Sequence, residues 1–316
     1  MSQLVKKDVK SIREILLTVK NQIANVIIGQ DEVIENLLTS IIANGHVLVE
    51  GFPGLAKTLL VKTLAKTINC DFKRIQFTPD LMPSDVIGTK IYDPKSSEFY
   101  IKKGPVFTNI LLADEINRAP PKTQSALLEC MQERQVTIDV ETYRIPEPFF
   151  VLATQNPIEQ EGTYPLPEAQ VDRFLMKLII SYPERSKEEK VLEKYGRDYI
   201  YEIKRVADPQ HIIQAQEIAR KIKATKPIRN YILDLVEMTR MHDDVLLGLS
   251  TRAALHLLIA SKAKALLSGR TYTTDHDVKS VAPHIMRHRI KLKPEAILER
   301  SVEDVIKEII NETPVP

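Results

Sequence analysis

The sequence predicts an α/β fold in which a parallel sheet flanked by helices is followed by an all-helical domain. Short apolar runs alternate with stretches of helical periodicity, and strands separated by helices favour a parallel sheet. The runs lie near 47–50, 74–77, 110–113 and 149–153. Beyond residue 181 the apolar spacing is helical only. We therefore expect two domains, residues 1–181 and residues 182–316.

Helical periodicity predicts an amphipathic helix over 4–24, a second helix after Gly29, and further helices in both domains. In the first domain these are 57–68 and 122–134, and in the second 184–196, 209–223, 227–241, 251–267, 275–286 and 299–311. Pro, Gly, Asp and Ser repeatedly interrupt the segments 80–108 and 136–146, which we expect to be inserted loops and hairpins.

The composition argues against several classes of protein. The 316 residues carry a net charge of +2 and only two cysteines, which is too few for a disulfide framework or a zinc site and fits a reducing compartment. The first twenty residues are too charged for a secretory signal, and no apolar run reaches the ~18 residues of a membrane span. We expect a cytoplasmic protein that binds no nucleic acid, since neither half is strongly basic.

The segment GFPGLAKT at 51–58 follows an apolar run and opens a helix, which is the context of a phosphate-binding loop. Gly51 and Gly54 permit backbone N–H groups to point inward around phosphate oxygens. Lys57 would contact the β- and γ-phosphates of a nucleotide, and Thr58 would bind Mg²⁺. Ala56 departs from the general pattern, which has glycine there.

Two further apolar runs end in polar residues. ILLADEIN at 110–117 ends in Asp114, which would hold Mg²⁺ through water, and Glu115, which would polarise the attacking water. FFVLATQNP at 149–157 ends in Asn156, which either binds the water or γ-phosphate or forms a turn before a proline. Together with the loop, the two carboxylates indicate a nucleoside triphosphatase.

Two arginines complete the set of candidate residues. Arg173 lies in PEAQVDRF and Arg252 in GLSTRAAL, at the start of a predicted helix. A guanidinium stabilises charge on a phosphoryl group during transfer. Each arginine could instead cap its own helix or pair with an acid such as Asp172.

The ordered motifs resemble the MoxR family of AAA+ ATPases over about residues 20–295. The motifs are Gly29-Gln30, GFPGLAKT, LLADEINRAPPKTQSALLE, ATQNP, EGTYPLPEAQVDRF and GLSTRAAL. The alanine at position 56 matches the loop of that family. The resemblance implies a P-loop AAA+ core followed by a helical lid, ATP and Mg²⁺ as cofactors, and ATP hydrolysis that drives chaperone-like remodelling or maturation of client proteins.

The resemblance also implies roles for matched positions. Lys57 and Thr58 resemble the Walker A pair, and Asp114 and Glu115 the Walker B pair. Asn156 resembles sensor 1, Arg252 the sensor 2 arginine, and Arg173 an arginine finger that enters a neighbouring subunit, although Arg118 or Arg134 could also face a neighbour. Nucleotide contacts are expected from Ile28, Gly29, Gln30, Gly51, Phe52, Pro53, Gly54, Leu55, Ala56, Lys57, Thr58 and Leu59.

The family further implies a homo-oligomeric ring, expected to be a hexamer, that acts on client proteins with a von Willebrand A-domain partner. In related ATPases the two inserted hairpins usually point toward the axial face of the ring and touch substrate. Here Phe99, Tyr100 and Ile101 either mark the apolar tip or flank of the first hairpin or pack onto the core.

Three alternative functions remain open at the level of sequence. A magnesium-chelatase-like motor for metal insertion would share the hairpins. A nucleic-acid motor or transcriptional activator is disfavoured by the weak charge, because RMHDD at 240–244 and RHRIKLK at 287–293 are the only basic-leaning candidates. We expect RHRIKLK to be a solvated face of the lid. The third alternative is a nucleotide-gated scaffold with negligible turnover.

Overall fold

The computed structural model describes residues 3–52, 54–156, 162–196 and 202–316. The first part of the chain contains the sheet, its covering helices and two hairpins. The helices are α1 (Gln3–Val26), α2 (Asp31–Ile42), α3 (Lys57–Thr67), α4 (Pro83–Ile87), α5 (Pro121–Glu133) and α6 (Glu168–Val171). The strands are β1 (Val47–Gly51), β2 (Phe72–Gln76), β3 (Gly88–Asp93), β4 (Glu98–Lys103), β5 (Ile110–Asp114), β6 (Gln135–Ile138), β7 (Glu141–Arg144), β8 (Phe150–Gln155) and β9 (Met176–Ile180).

The central sheet has five strands in the order β2-β5-β8-β1-β9, and all neighbouring pairs are parallel. Alternate residues of each strand face opposite sides, so that Val47 and Val49 pack in one apolar cluster and Leu48 in another. The parallel sheet expected from the sequence is confirmed. Since all five strands run in one direction, their carboxyl ends share one edge, where ligands bind in open α/β sheets.

The two interrupted segments form antiparallel hairpins, as expected. One pairs β3 with β4 and the other pairs β6 with β7. Phe99 and Tyr100 lie on β4 rather than at the turn and are 63% and 50% exposed, whereas Ile101 packs against the apolar cluster beneath the sheet. Lys90 of the first hairpin forms an ion pair with Asp139 of the second.

The second part of the chain is predominantly helical; six of the seven helices described there match the predicted ones closely, and the short α12 was not predicted. They are α7 (Arg185–Tyr195), α8 (Pro209–Lys221), α9 (Lys226–Met241), α10 (Thr251–Leu267), α11 (Asp275–Met286), α12 (Pro294–Ile297) and α13 (Val302–Glu312). The side chains of Ser250, Thr274 and Ser301 cap α10, α11 and α13 by accepting backbone N–H groups. One apolar cluster joins this part to α1, α2 and the sheet. The boundary near residue 181 stays a prediction.

Three strands depart from the expectations. The fifth strand of the sheet, β9, was not predicted, although Leu178, Ile179 and Ile180 form an apolar run; it is an outer strand whose Lys177 and Ile179 are not buried. Helical patterns alone were expected after residue 181, which is wrong: β10 (Val245–Leu247) pairs with β11 (Lys291–Leu292). Strands of two or three residues carry no readable periodicity. In the described part of the chain, no helix is long and apolar enough to cross a membrane.

Candidate active site

The predicted phosphate loop connects β1 to α3, as expected. Gly54 has φ +85°, and no atom lies within 4 Å of where a Cβ would stand. Ala56 is also left-handed, with φ 54° and ψ 24°, and immediately precedes α3. A left-handed conformation disfavours every residue with a Cβ, which explains why the general pattern has glycine here. Pro53 lies outside the described residues.

Lys57 and Thr58 form the first turn of α3, where partial positive charge from the helix N-terminus favours anions. The Lys57 Nζ donates a hydrogen bond to the Gly51 carbonyl oxygen at 2.7 Å. Burial lowers the pKa of Lys57, and the negative charges of Asp114 and Glu115 oppose that shift. The cation and both carboxylates therefore share one electrostatic environment at the carboxyl edge of the sheet.

A cavity of about 610 Å³ opens beside the loop, and its walls are mainly apolar. Its size suits a nucleotide-sized ligand. The lining residues are Val26, Ile27, Ile28, Gln30, Gly54, Leu55, Ala56, Leu59, Tyr182, Pro183, Glu188, Val191, Leu192 and Tyr195. Ile28 and Gln30, from which the sequence analysis expects adenine contacts, both line this cavity. Gly29 lies between them, with φ +82°, and Phe52 stacks on Tyr182 instead of lining the cavity.

The Asp114 carboxylate ends β5 and is held by side chains from both neighbouring strands. Its Oδ1 accepts a hydrogen bond from the Thr154 hydroxyl at 2.5 Å. Its Oδ2 accepts from the Nη2 and Nε of Arg74 at 2.8 and 3.0 Å. The carboxylate is therefore fixed at the edge of the sheet beside the phosphate loop.

Glu115 follows directly and has φ 55°, which turns the chain away from the strand. Its backbone N–H donates to the Thr154 hydroxyl oxygen at 2.9 Å, so that Thr154 links both acids. Its Oε2 accepts from the Gln76 amide at 2.6 Å and from Arg118 at 3.1 Å. In this arrangement the carboxylate that was predicted to activate water is hydrogen-bonded by Gln76 and Arg118.

Sequence reasoning missed three residues of this group, Arg74, Gln76 and Thr154. A usable signal was present: Arg74 and Gln76 are polar residues of the predicted strand 74–77, and Thr154 lies just before Asn156. Asn156 itself follows β8, at the same edge as the two acids. The register places Gln76 directly beside Asp114.

Arg173 lies at the amino ends of the sheet strands, opposite the phosphate loop. β9 runs parallel to β1, with Met176 beside Val47 and Ile180 beside Gly51. Arg173 precedes Met176, so it stands at the amino end of the strands, whereas the phosphate loop leaves from the carboxyl end. A five-residue strand spans about 16 Å. Arg173 and the loop of its own chain are therefore on opposite sides of the sheet.

Arg252 lies with Arg173 and not with the phosphate loop. Both arginines line a pocket of about 190 Å³ that also contains His46 and His256. The Arg252 Nη1 donates to the Asp172 Oδ2 at 3.2 Å. Neither arginine lines the cavity beside the loop. Of the alternatives left open by the sequence, the structure shows the ion pair of Arg252 with Asp172.

Asp172 also forms a buried ion pair with Arg289, whose Nε donates to Oδ1 at 2.6 Å. The Arg289 side chain is only 3% exposed, and its Nη2 donates to the Asp172 and Phe174 carbonyl oxygens. Burial lowers the pKa of Arg289 to about 10, and the carboxylate opposes that shift. The expectation that RHRIKLK is a solvated face is therefore wrong for this residue, which joins the lid helices to the chain entering β9.

Comparison with known proteins gives a consistent result. Residues 46–176 match the ATPase family associated with various cellular activities (AAA), and residues 237–309 match the AAA lid domain. The chain is 46% identical to the uncharacterized protein YeaC of Bacillus subtilis, covering 93% of this chain and 92% of the relative. It is 43% identical to the chaperone MoxR1 of Mycobacterium tuberculosis, covering 93% and 81%.

Two further comparisons extend over nearly the whole chain. The protein MoxR of Methylorubrum extorquens is 31% identical, with 94% of each chain covered. The crystal structure of a candidate ATPase from Cytophaga hutchinsonii superimposes with a TM-score of 0.91 at 44% identity, covering 98% of this chain and 97% of that one. These similarities agree with the motifs and with the core and lid described above. The chain belongs to the MoxR family of AAA+ ATPases.

Proposed function

We propose that this chain hydrolyses ATP within a homo-oligomeric ring, a hexamer, and uses the resulting motion to remodel or mature client proteins. The observation that carries this proposal is the position of Arg173 and Arg252 at the sheet edge opposite their own phosphate loop. In a closed ring the same two surfaces meet at every interface. The arginines of one subunit then complete the site of the next.

The nucleotide binds in the cavity beside the loop. The loop amides and Lys57 contact the phosphates, while Ile28, Gly29 and Gln30 wrap the adenine. Pro53 belongs to the same proposed loop. The left-handed backbone at Gly54 and Ala56, on either side of Leu55, supports this assignment, since turns of this kind direct successive N–H groups toward an anion.

The residues present fit a magnesium ion, because hydroxyl and carboxylate oxygens are the ligands that Mg²⁺ prefers. Thr58 and Asp114 would hold the ion, directly or through water, and the ion would neutralise charge on the phosphates. The bonds from Thr154 and Arg74 fix Asp114 for this role.

Glu115 accepts a proton from the attacking water molecule, and the oxygen of that water forms a bond to the γ-phosphorus. The bond from that phosphorus to the β–γ bridging oxygen breaks, and ADP leaves with phosphate. Asn156 orients the water or the γ-phosphate through its amide. Gln76 and Arg118 both donate to Oε2 of Glu115, and we propose that its Oε1 accepts the proton.

Arg173 and Arg252 stabilise the charge that develops on the transferring phosphoryl group of the neighbouring subunit. An arginine supplied in this way contributes about 10³–10⁵ in rate. Hydrolysis therefore depends on assembly, and specific activity should rise with protein concentration. A nucleotide-gated scaffold would show no such rise.

The test combines two inactive variants, Arg173→Ala and Glu115→Gln. Each should bind ATP, and Glu115→Gln should retain it without turnover. When the two variants are mixed in equal amounts, Arg173→Ala subunits supply an intact Glu115 and Glu115→Gln subunits supply an intact Arg173. These two residues meet at about one quarter of the interfaces. ATPase activity should therefore reappear on mixing, after conditions that permit subunit exchange.

Full activity of purified Arg173→Ala would contradict the role of this arginine, and a mixture that stays inactive despite confirmed mixed rings would contradict the exchange of arginines between subunits. The matched control is Arg144→Ala, which removes an arginine from the β7 hairpin strand. Its activity should remain close to that of the wild type.

The client surface proposed here is formed by the two hairpins. Tyr92, Phe99 and Tyr100 are about half exposed or more, and Tyr92 contacts Phe99 with ring centroids 5.1 Å apart. Exposed apolar patches of this kind mark protein interaction sites. The ion pair between Lys90 and Asp139 joins the hairpins, so that motion of one is passed to the other. A von Willebrand A-domain protein is the proposed partner in client handling.

A further inference from the structure

A third pocket, with pronounced positive charge, lies where α8 and α10 of the lid meet the core. Its volume is about 450 Å³, and Arg134, Arg220 and Lys262 all line it. Among the described residues that line it there is no aspartate or glutamate. Asn44, which also lines it, precedes β1, so the pocket is at the sheet edge opposite the phosphate loop.

Arg134 is held in a conformation that favours glycine. It follows α5 with φ 54°, and its Nη2 donates to the Asn44 carbonyl oxygen at 2.8 Å. A guanidinium has five N–H donors, so this bond leaves donors for a ligand. Burial lowers the pKa of Arg134 and Arg220 lowers it further, against an opposing contribution from Glu147. Such an unfavourable placement of a basic residue is typical of functional positions.

Lys262 brings a second half-buried cation to the pocket. Its Nζ donates to the Arg220 carbonyl oxygen at 3.2 Å. This hydrogen bond holds the Lys262 ammonium next to Arg220. Burial lowers the pKa of Lys262, and the nearby charge of Arg229 lowers it further. Within the described residues no salt bridge joins Arg134, Arg220 or Lys262 to a carboxylate. Like charges that repel one another here would be stabilised by a bound anion.

We infer that this pocket binds a small phosphorylated compound, separate from the nucleotide at the phosphate loop. One arginine guanidinium can bind two phosphate oxygens at once, and the Lys262 ammonium adds a point charge. The apolar walls formed by Ile42, Ala219 and Ile259 suit the non-polar part of such a compound. Because Arg134 belongs to the core and the other two cations to the lid, the ligand ties lid to core.

The experiment uses the full-length protein saturated with ADP and Mg²⁺, so that the phosphate loop is already filled. Pyrophosphate is then titrated by calorimetry as the anionic probe. We expect saturable binding of one pyrophosphate per chain, weakened by added salt. Arg220→Gln and Lys262→Gln should each weaken binding at least about tenfold. Lys221→Gln removes an exposed cation of the same helix outside the pocket and should leave the affinity unchanged.

Three results would overturn the inference. The wild type could show no saturable binding, the two pocket variants could bind as tightly as the wild type, or a higher concentration of ADP could displace the pyrophosphate. The last result would assign the probe to the phosphate loop. Circular dichroism of each variant confirms that it is folded, and ADP binding measured separately keeps this test independent of the proposed ATPase mechanism.

Discussion

Replacing Ala56 by glycine should stabilise the protein. Ala56 has φ 54° and ψ 24°, and its side chain is exposed, so the substitution removes strain without opening a cavity. A left-handed residue with a Cβ costs about 1–2 kcal/mol relative to glycine. Glycine in turn costs about 0.4–1 kcal/mol through the greater freedom of the unfolded chain. The difference is a rise of about 0–1.6 kcal/mol, with a midpoint of about 0.8 kcal/mol, in the free energy of unfolding.

The assay is urea unfolding of the nucleotide-free protein, with the midpoint expected to rise while the slope stays constant. Ala65→Gly is the control, because Ala65 is buried in the interior of α3, the helix that Ala56 precedes. That variant should lose about 1 kcal/mol or more. If Ala56→Gly lowers the stability as Ala65→Gly does, Ala56 does not adopt the left-handed conformation and the reasoning is refuted. ATP binding by Ala56→Gly should persist, since the loop amides are unchanged.

Three other changes have defined outcomes. Asp172→Asn leaves the buried Arg289 without its counter-ion and should lower the free energy of unfolding, measured by urea denaturation, by about 3–5 kcal/mol. Asp139→Asn removes the acid of the exposed pair with Lys90 and should lower it by about 1 kcal/mol or less. Burial lowers the pKa of His46 from 6.5 to about 3, so that between these pH values only the unfolded chain binds a proton at this residue. The free energy of unfolding should therefore fall as the pH decreases, by up to about 1.4 kcal/mol per pH unit from His46. In His46→Gln the fall should be less steep. Phe99→Ser should weaken capture of an unfolded polypeptide in a fluorescence binding assay, while Leu298→Ser, which alters an 87% exposed side chain of the lid, should not.

The fold was predictable where the periodicity extends over many residues. The 24 residues of α1 and the 16 of α9 repeat their apolar pattern through several turns, so both helices could be identified from the sequence. β9 was not predicted although Leu178, Ile179 and Ile180 form an apolar run, whereas β2, which is equally short and also an outer strand of the sheet, was predicted. β10 and β11 are shorter still, and their existence depends on pairing between segments more than 40 residues apart.

The site was predictable where its residues are close in sequence. The phosphate loop and the pair Asp114 and Glu115 each lie within one short motif, whose spacing is visible directly. The roles of Gln76 and Thr154 depend on the register of β2 and β8 against β5, which sequence spacing does not determine. Their hydrogen bonds to the acids became apparent only once the three strands were aligned.

The direction of the strands also decides what kind of assembly the proposed chemistry requires. Asp172 follows α6 at the amino edge, where it binds Arg252 from α10 and Arg289 from the lid. Arg173, the next residue, therefore lies at the amino ends of the strands. The phosphate loop of the same chain lies at their carboxyl ends, on the other side of the sheet. A side chain at one edge of a rigid sheet can serve a site at the other edge only in a second copy. Two unlike surfaces that meet in this way generate a closed ring when the rotation between copies closes.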